Sequence, residues 1–583
     1  MLHFVIWGYV NLELSIFGKV VIILENSFIK EVSIKAEKSL WGIPQLSVRS
    51  ILLTVVGAIL IGISSMYIAL RMSALPWPTI FVAVLSMAVL KLFGNTTLNE
   101  INVTQTGMSS GGMVAGGLAF TIPGLWIAGI YKAYDPALGT LNEWLMPKLW
   151  PVLLVSLIGV VLGTVLCWYY RKRNIEEQGL AYPIGAAAAE TLEAGDKGGM
   201  KAAVLFGALS VSAIFTFLRD KLAFIPQVVD GKIANLPMQF YASPMAVAIG
   251  YIIGFPGAAY WTLGALLSHW GLRYFGVLLG TFSDEAQAGS FILTAAVGLM
   301  VGSGIGILIQ FIKSQMDSKA KTLTTNSDLK QSISRRNGLY VLIAAALSFV
   351  FSILVGFSPL VSVLLIVGVV FATMMSSVIT GQTGINPMEV FGIIVLLAIR
   401  LLVRVDDTLA FMIAAVVAVA CGYAGDAMND YKTGAILGTD PRAQFVTQLI
   451  GGLAGVAAAV FALFAIIWSF GGVGGETGLT AAQAHSVTAL VKGIGDPVVF
   501  FIALVLGCLL YINNVPAMII GIGMLLSLGM AMAILLGGVV SLVITKWVKK
   551  EQSSSIANVI SAGMLGGEGI MATLLAFIAM FGG

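Results

Sequence analysis

Asn102-Val103-Thr104-Gln105-Thr106-Gly107 and Asn429-Asp430-Tyr431-Lys432-Thr433-Gly434 share an N-x-x-[Q/K]-T-G pattern, and each lies in an otherwise apolar stretch of chain. Further landmarks recur in the same order. Ser64-Ser65 with Pro76 and Phe81 returns as Ser376-Ser377 with Pro387 and Phe391. The segment from Ser243-Pro244 to Gly250 is echoed from Val515-Pro516 to Gly521, and Gly298–Ile305 by Gly563–Ile570. Glycine- and alanine-rich helices resemble one another by composition, so a single match means little. Several in one order point to a duplicated chain with polar breaks in both halves, the usual design of a secondary transporter.

Composition sets the solvent. Of 583 residues, 58% are hydrophobic and only 10% charged, where soluble domains carry roughly a quarter charged residues. Apolar windows of about 20 residues, the length that crosses the hydrocarbon core, recur along the chain. Lipid cannot satisfy backbone polar groups, so these windows must be helices. The expected architecture is an all-α polytopic membrane protein of about 16 transmembrane helices in two related halves, with re-entrant or broken segments. Expected spans are 49–71, 77–93, 106–131, 150–170, 199–218, 243–259, 260–280 and 289–312, then 337–357, 359–381, 388–403, 408–425, 443–469, 496–512, 515–545 (one or two) and 556–581. Residues 1–40 are too interrupted by Glu13, Lys19 and Glu25 for a span, and read as an interfacial segment or an over-extended start. The first repeat then covers 41–313, a basic linker 314–336, and the second repeat 337–583.

Arg171-Lys172-Arg173, the linker and Lys546, Lys549 and Lys550 should face the cytoplasm, which makes the chain a multi-pass protein of the inner (cytoplasmic) membrane. Arg400 and Arg404 fit that topology poorly. Glycines in small-x-x-x-small spacing (Gly112 and Gly116, Gly302 and Gly306, Gly451 and Gly455) suit close helix packing. Three dispersed cysteines and three scattered histidines supply neither a disulfide framework nor a bare transition-metal site. No phosphate loop, Gly-x-Ser-x-Gly elbow or His-Glu-x-x-His is present, so an attached ATPase and the common hydrolases are excluded. No cofactor and no nucleic acid is expected. The partners are lipid and a small solute, and a homo-oligomer is left open.

The chemistry concentrates in a few places. Asp426, Asn429, Asp430 and Lys432 follow one apolar run and precede another, and Asp426 and Asp430 are one turn apart. With Gly425, Gly434 and Gly438 nearby, they read either as a substrate or ion site at an unwound helix end, or as a polar loop between helices. Glu100, Asn102 and Gln105 form the counterpart, or else a plain helix entrance. Gly179–Gly195 reads as a turn feeding a short re-entrant helix stopped by Gly195, with Glu190 and Glu193 on one face. Asn513-Asn514 before Pro516 marks another discontinuity. Glu568 lies near mid-span, where a carboxylate is costly and therefore usually functional, and suits a proton-coupling group.

At these residues the chain resembles the oligopeptide transporter superfamily, in particular prokaryotic members near the yellow-stripe-like branch. The resemblance rests on Asn99–Leu125, Gly179–Gly195, Gly425–Gly451 through Lys432-Thr433-Gly434 and Pro441-Arg442, and Ser561–Leu574 through Gly567-Glu568. It implies proton-coupled uptake of short peptides or metal–chelator complexes by alternating access. Glu100, Asn102, Gln105, Asp426, Asn429, Asp430, Lys432 and Asn513 would then line the substrate site. Glu568 and Glu190 would serve proton coupling, with protons as the only coupling agent. The Asn-Pro-Gly and Lys-Ile-Pro-Pro-Arg motifs of the fungal and plant peptide branch are absent. The rival class is a membrane-embedded enzyme or a channel.

Overall fold

The computed structural model describes residues 40–581 apart from 73–74, 76–78, 136, 138, 196–199, 234–235, 323–334, 384–385, 475–476, 493–495 and 549–550. The expected interfacial segment and most of the linker fall outside these residues. The first half runs α1 (Val48–Met72), α2 (Thr79–Leu92), α3 (Leu98–Ala119), α4 (Leu141–Arg171), α5 (Pro183–Gly195), α6 (Met200–Asp220), α7 (Pro244–Leu266) and α8 (Glu285–Thr322). Then come α9 (Arg335–Val355), α10 (Pro359–Thr383), α11 (Met388–Leu402), α12 (Asp407–Leu437), α13 (Pro441–Ser469), α14 (Ala482–Lys492), α15 (Pro497–Ile512), α16 (Ala517–Leu525), α17 (Leu528–Val543) and α18 (Glu551–Phe581). The molecule is an all-α polytopic membrane protein, with one exposed antiparallel hairpin, β1 (Val228–Ile233) and β2 (Leu236–Tyr241), that the hydropathy pattern did not announce.

Among the described residues eleven helices, rather than sixteen, are long and apolar enough to cross a membrane. The difference lies in broken elements. Val82–Leu92, Pro497–Ile512 and Ile556–Ala572 are apolar but short. The expected spans 243–259 and 260–280 do correspond to two helical pieces within α7, but the break comes earlier than expected, at the non-helical Gly254 (φ 74, ψ 170). The stretch 515–545 divides into α16 and α17 at the extended Leu526-Ser527.

The order of long and short elements repeats. Helices α1 to α4 have 25, 14, 22 and 31 residues, and α10 to α13 have 25, 15, 31 and 29. Short α5 and α14 follow in turn. Three of the landmark matches sit at equivalent places: the serine pairs in α1 and α10, the starts of α7 and α16, and the glycine runs of α8 and α18. The N-x-x-[Q/K]-T-G pair does not, since it opens α3 but closes α12. The equivalent helices α3 and α12 run antiparallel: Gly117 packs on Val419, while the Tyr423 hydroxyl donates to the Ser110 carbonyl and Ser109 reaches Asp430. That is the relation expected of inverted-topology repeats. It brings the two copies of the motif to the same end of the molecule.

Close approach is made by glycine. A Cβ on Gly451 would lie 1.9 Å from the Gly107 carbonyl oxygen, and one on Gly111 would lie 2.0 Å from that of Ala58. Backbone cannot yield as a side chain can. Gly451→Ala should therefore cost about 1–3 kcal/mol or more and lower the thermal midpoint in detergent. Gly207→Ala, with open space around it, should leave the midpoint unchanged; equal midpoints in both variants would refute the tight α3–α13 contact.

Candidate substrate and ion site

Helix α12 is the spine of the site. It is buried from Ala410 to Tyr431 and stays helical to Leu437, ending at Gly438 in the left-handed conformation (φ 73). The expected unwinding around Asp426–Gly434 is therefore not there. Gly425 and Gly434 serve a different purpose: a Cβ on the first would strike the Asn386 amide at 2.5 Å, and one on the second the Gln444 amide at 2.3 Å. Each glycine admits a polar side chain against the helix backbone.

Asp426, Asn429, Asp430 and Thr433 share one flank of α12 by their spacing. The Asp430 carboxylate accepts from Gln105 Nε2 at 3.0 Å and from Ser109 Oγ at 2.5 Å, both on α3. Gln444 Nε2, on α13, donates to Asn102 Oδ1 (3.1 Å), Thr106 Oγ1 (3.0 Å) and the Asp430 carbonyl (2.8 Å). Asn102 donates in turn to Gln105 Oε1 at 3.2 Å. Asn102, Gln105, Asn429 and Asp430 are wholly buried. Asp426 accepts from Asn386 Nδ2 at 2.7 Å, and Asn386 is held by Ser376 at 2.7 Å. Glu389, at the start of α11, is also buried. Among the described residues none of these three acids forms an ion pair.

The re-entrant segment reaches the same layer. After Gly179 and Tyr182, both at positive φ, α5 begins with its first turn against α12. Gly185 N–H donates to Asn429 Oδ1 at 3.1 Å, and Thr433 Oγ1 donates to the Gly185 carbonyl at 2.8 Å. The Asn429 Nδ2 donor and the Gln448 Nε2 donor are buried without a partner. Buried donors without partners are uncommon, and here two occur in the same layer as a carboxylate that has no ion pair among the described residues.

Other expected residues stand elsewhere. Lys432 is half-buried and donates from Nζ to the Leu180 carbonyl at 2.9 Å, turned to the base of α5 and not to the acids. Glu100 forms a two-pronged ion pair with Arg49 and accepts from Ser47 at 2.5 Å and Thr96 at 3.0 Å, which anchors the start of α3. Asn513 is exposed at the end of α15, its amide donating to the Leu509 carbonyl at 2.8 Å. Glu190 lies on α5, with its side chain outside the described residues. Sequence reasoning missed Ser109, Asn386 and Glu389 as site groups. It met Gln444 and Gln448 only as part of the family resemblance, although a pair of glutamines one turn apart in an apolar helix is a signal in itself.

Glu568 belongs to a second centre. Its carboxylate accepts from Arg219 Nη1, Ser243 Oγ and the Met245 N–H, each at 2.9 Å, and carboxylate and guanidinium are both fully buried. Ser243 caps α7, so the carboxylate rests on a helix start whose dipole favours negative charge. Arg219 also holds Asp220 through two nitrogens, at 2.7 and 2.8 Å. Sequence placed Glu568 at depth but gave no hint of its arginine. Arg400, awkward for the topology, is neutralised by Asp407 at 2.7 Å, which Lys492 also contacts at 2.9 Å.

Two apolar grooves of about 580 and 390 Å3 lie between helices. The first, lined by residues such as Tyr169 and Leu342, is away from both centres. The second, lined by Val211, Met564 and Pro244, borders the Glu568 centre, since Pro244 lies between Ser243 and Met245. The side chains of the polar layer are themselves buried. A family model described as OPT oligopeptide transporter protein matches residues 45–579. The chain belongs to the OPT oligopeptide transporter family. It is 24% identical to a Haemophilus influenzae protein named "Putative oligopeptide transporter", over 88% of this chain and 92% of that one. In this OPT transporter the polar layer thus joins both halves of a transport protein.

The two centres should respond differently to neutralisation. Glu568→Gln removes the charge that Arg219 Nη1 meets and leaves the guanidinium with Asp220 alone, and should cost about 1.5–3 kcal/mol. Asp430→Asn keeps neutral partners and should cost less. Thermal midpoints of the two variants in detergent decide it, and equal losses would show the two carboxylates to be equivalently paired.

Proposed function

We propose that this chain takes up short oligopeptides across the inner membrane by alternating access, driven by protons. The observation that carries the reading is Asp430: a fully buried carboxylate between the two halves, held by an amide and a hydroxyl and paired with no cation. An uncompensated buried charge is too costly to persist. A mobile cation, a proton or the amino group of a peptide, is the natural complement, and its arrival would couple to movement of α3 against α12. Asp426 with Asn386 and Glu389 extends this acidic layer, and the free donors on Asn429 and Gln448 suit peptide carbonyls. The family membership and the name of the Haemophilus protein support a peptide cargo.

In this reading Glu568 is a latch and not the proton carrier, because Arg219, Ser243 and the Met245 amide already meet its charge. Coupling passes instead to Asp430 and Asp426. Glu190 on α5 remains a second candidate for the proton path.

Purified protein in proteoliposomes with an inward proton gradient should accumulate labelled peptides from a pool of di- to pentapeptides, and a protonophore should abolish accumulation. Asp430→Asn should lose gradient-driven uptake while retaining counterflow exchange of peptide. Accumulation of an iron–chelator complex in place of peptides would transfer the machine to metal-chelate cargo. Full gradient-driven uptake by Asp430→Asn would remove it from coupling.

A further inference from the structure

Arg71 ends α1 in an aromatic box. Its guanidinium carbon lies 4.9 Å from the ring centre of Tyr241, 5.3 Å from that of Phe470 and 5.8 Å from that of Tyr67. The residue is only 7% exposed, and Tyr241 6%. Rings attract a guanidinium through their faces but offer its in-plane N–H groups no acceptor. Arg71 Nε is buried without a hydrogen-bond partner, and so is the Tyr241 hydroxyl. Among the described residues Arg71 has no ion pair. The two carboxylates of this region, Glu568 and Asp220, are both engaged by Arg219, whose guanidinium carbon is 5.3 Å from the same Tyr241 ring.

A buried cation and a buried hydroxyl, side by side and both lacking an acceptor, are unusual: most buried polar groups are partnered. The box is also assembled from both halves. Arg71, Tyr67 and Tyr241 come from the first, Phe470 from the end of α13, and the following loop is tied on where Ala481 N–H donates to the Leu70 carbonyl at 3.1 Å. It lies at the far end of α1 from Arg49 and Glu100, roughly two-thirds of that helix away from Thr54, which packs at the level of Gly107 and the acidic layer. By the positive-inside rule, with Arg171–Arg173 marking the cytoplasmic end, the box faces the exterior half.

We propose that Arg71 and Tyr241 form a receiving site for a carboxylate of the incoming solute, the C-terminus of a peptide or an acid group of a chelate. The inference rests on the transport reading above and adds the chemical group by which cargo is recognised. The fork of Arg71 and the phenol of Tyr241 grip the carboxylate, while the acidic layer at the other end takes up positive charge. Lys432, expected to meet the substrate carboxylate, is engaged with Leu180, and Arg71 takes that role.

The test is uptake by proteoliposomes of a di- to pentapeptide pool with free C-termini, the same pool C-terminally amidated, and an iron(III) complex of a polycarboxylate chelator. Wild type should prefer free-acid peptides over amides by about tenfold or more in kcat/KM, as loss of a charged hydrogen bond implies. Arg71→Gln should abolish that preference by raising KM for the free acids alone. Tyr241→Phe keeps the ring and removes a hydroxyl that has no hydrogen-bond partner, so it should weaken free-acid uptake with no loss of thermal midpoint; a purely structural ring would show no change in selectivity. Equal uptake of acids and amides by wild type, or retained selectivity in both variants, overturns the proposal while the transport reading stands. If only the iron complex accumulates, the carboxylate site must show in its KM on the same two variants, and an unchanged KM there overturns the proposal. If none of the three accumulates, the transport reading fails and this inference with it.

Discussion

Helices in lipid have no hydrophobic force drawing them together, so contact between backbones must do that work. In this chain the contact is made where Gly111, Gly451 and Gly455 set backbone against backbone, and where Gly107 takes the Thr54 and Thr447 side chains, so that α1, α3 and α13 meet closely. Everything in the polar layer follows from that approach. Gln105 and Ser109 reach Asp430 because α3 lies flush against α12, and Gln444 threads between Asn102, Thr106 and the α12 backbone because Gly434 leaves it space. A methyl group at these glycines would separate the donors from the carboxylate they hold.

The two buried acidic centres differ in kind. At Glu568 charge meets charge, with a helix start and a serine completing the set, and such a group resists change. At Asp430 the partners are neutral, an amide and a hydroxyl, and no ion pair balances the carboxylate among the described residues. The proposed transport cycle gives the two centres separate parts, a fixed closure at Glu568 and a responsive group at Asp430. Both are built across helices from the two halves, where relative movement is registered first.

The fold was largely legible. Apolar windows located nearly every helix, and the ordered landmarks announced the duplication, because span length and breaks are written in local composition. The errors came from geometry that composition does not encode. Gly254 breaks the chain several residues before the boundary expected there, and Gly425 and Gly434 looked like breaks but are clearances inside an intact helix. The N-x-x-[Q/K]-T-G match was informative for the wrong reason, since its copies are neighbours in space and not equivalents in the repeat. Within the site, Asn102, Gln105, Asn429 and Asp430 were readable as polar residues in apolar surroundings. Glu100 looked the same in sequence, and only the fold reveals Arg49 beside it. The partners of Glu568 lie more than three hundred positions away, beyond any local pattern.

Helix α9 has a role unlike that of its neighbours. Much of its length is exposed to the bilayer, with Leu342 68% and Leu354 65% exposed, and it joins α10 through the short turn at Gly356–Ser358. Among the described residues it has no counterpart in the first half. An even number of crossings before it would return the chain to its starting side and deliver the second half in the same sense as the first. One additional crossing reverses that sense. The contribution of α9 is thus parity and not packing: its exposed residues are interchangeable with other apolar ones, while one more crossing is what turns α12 over against α3.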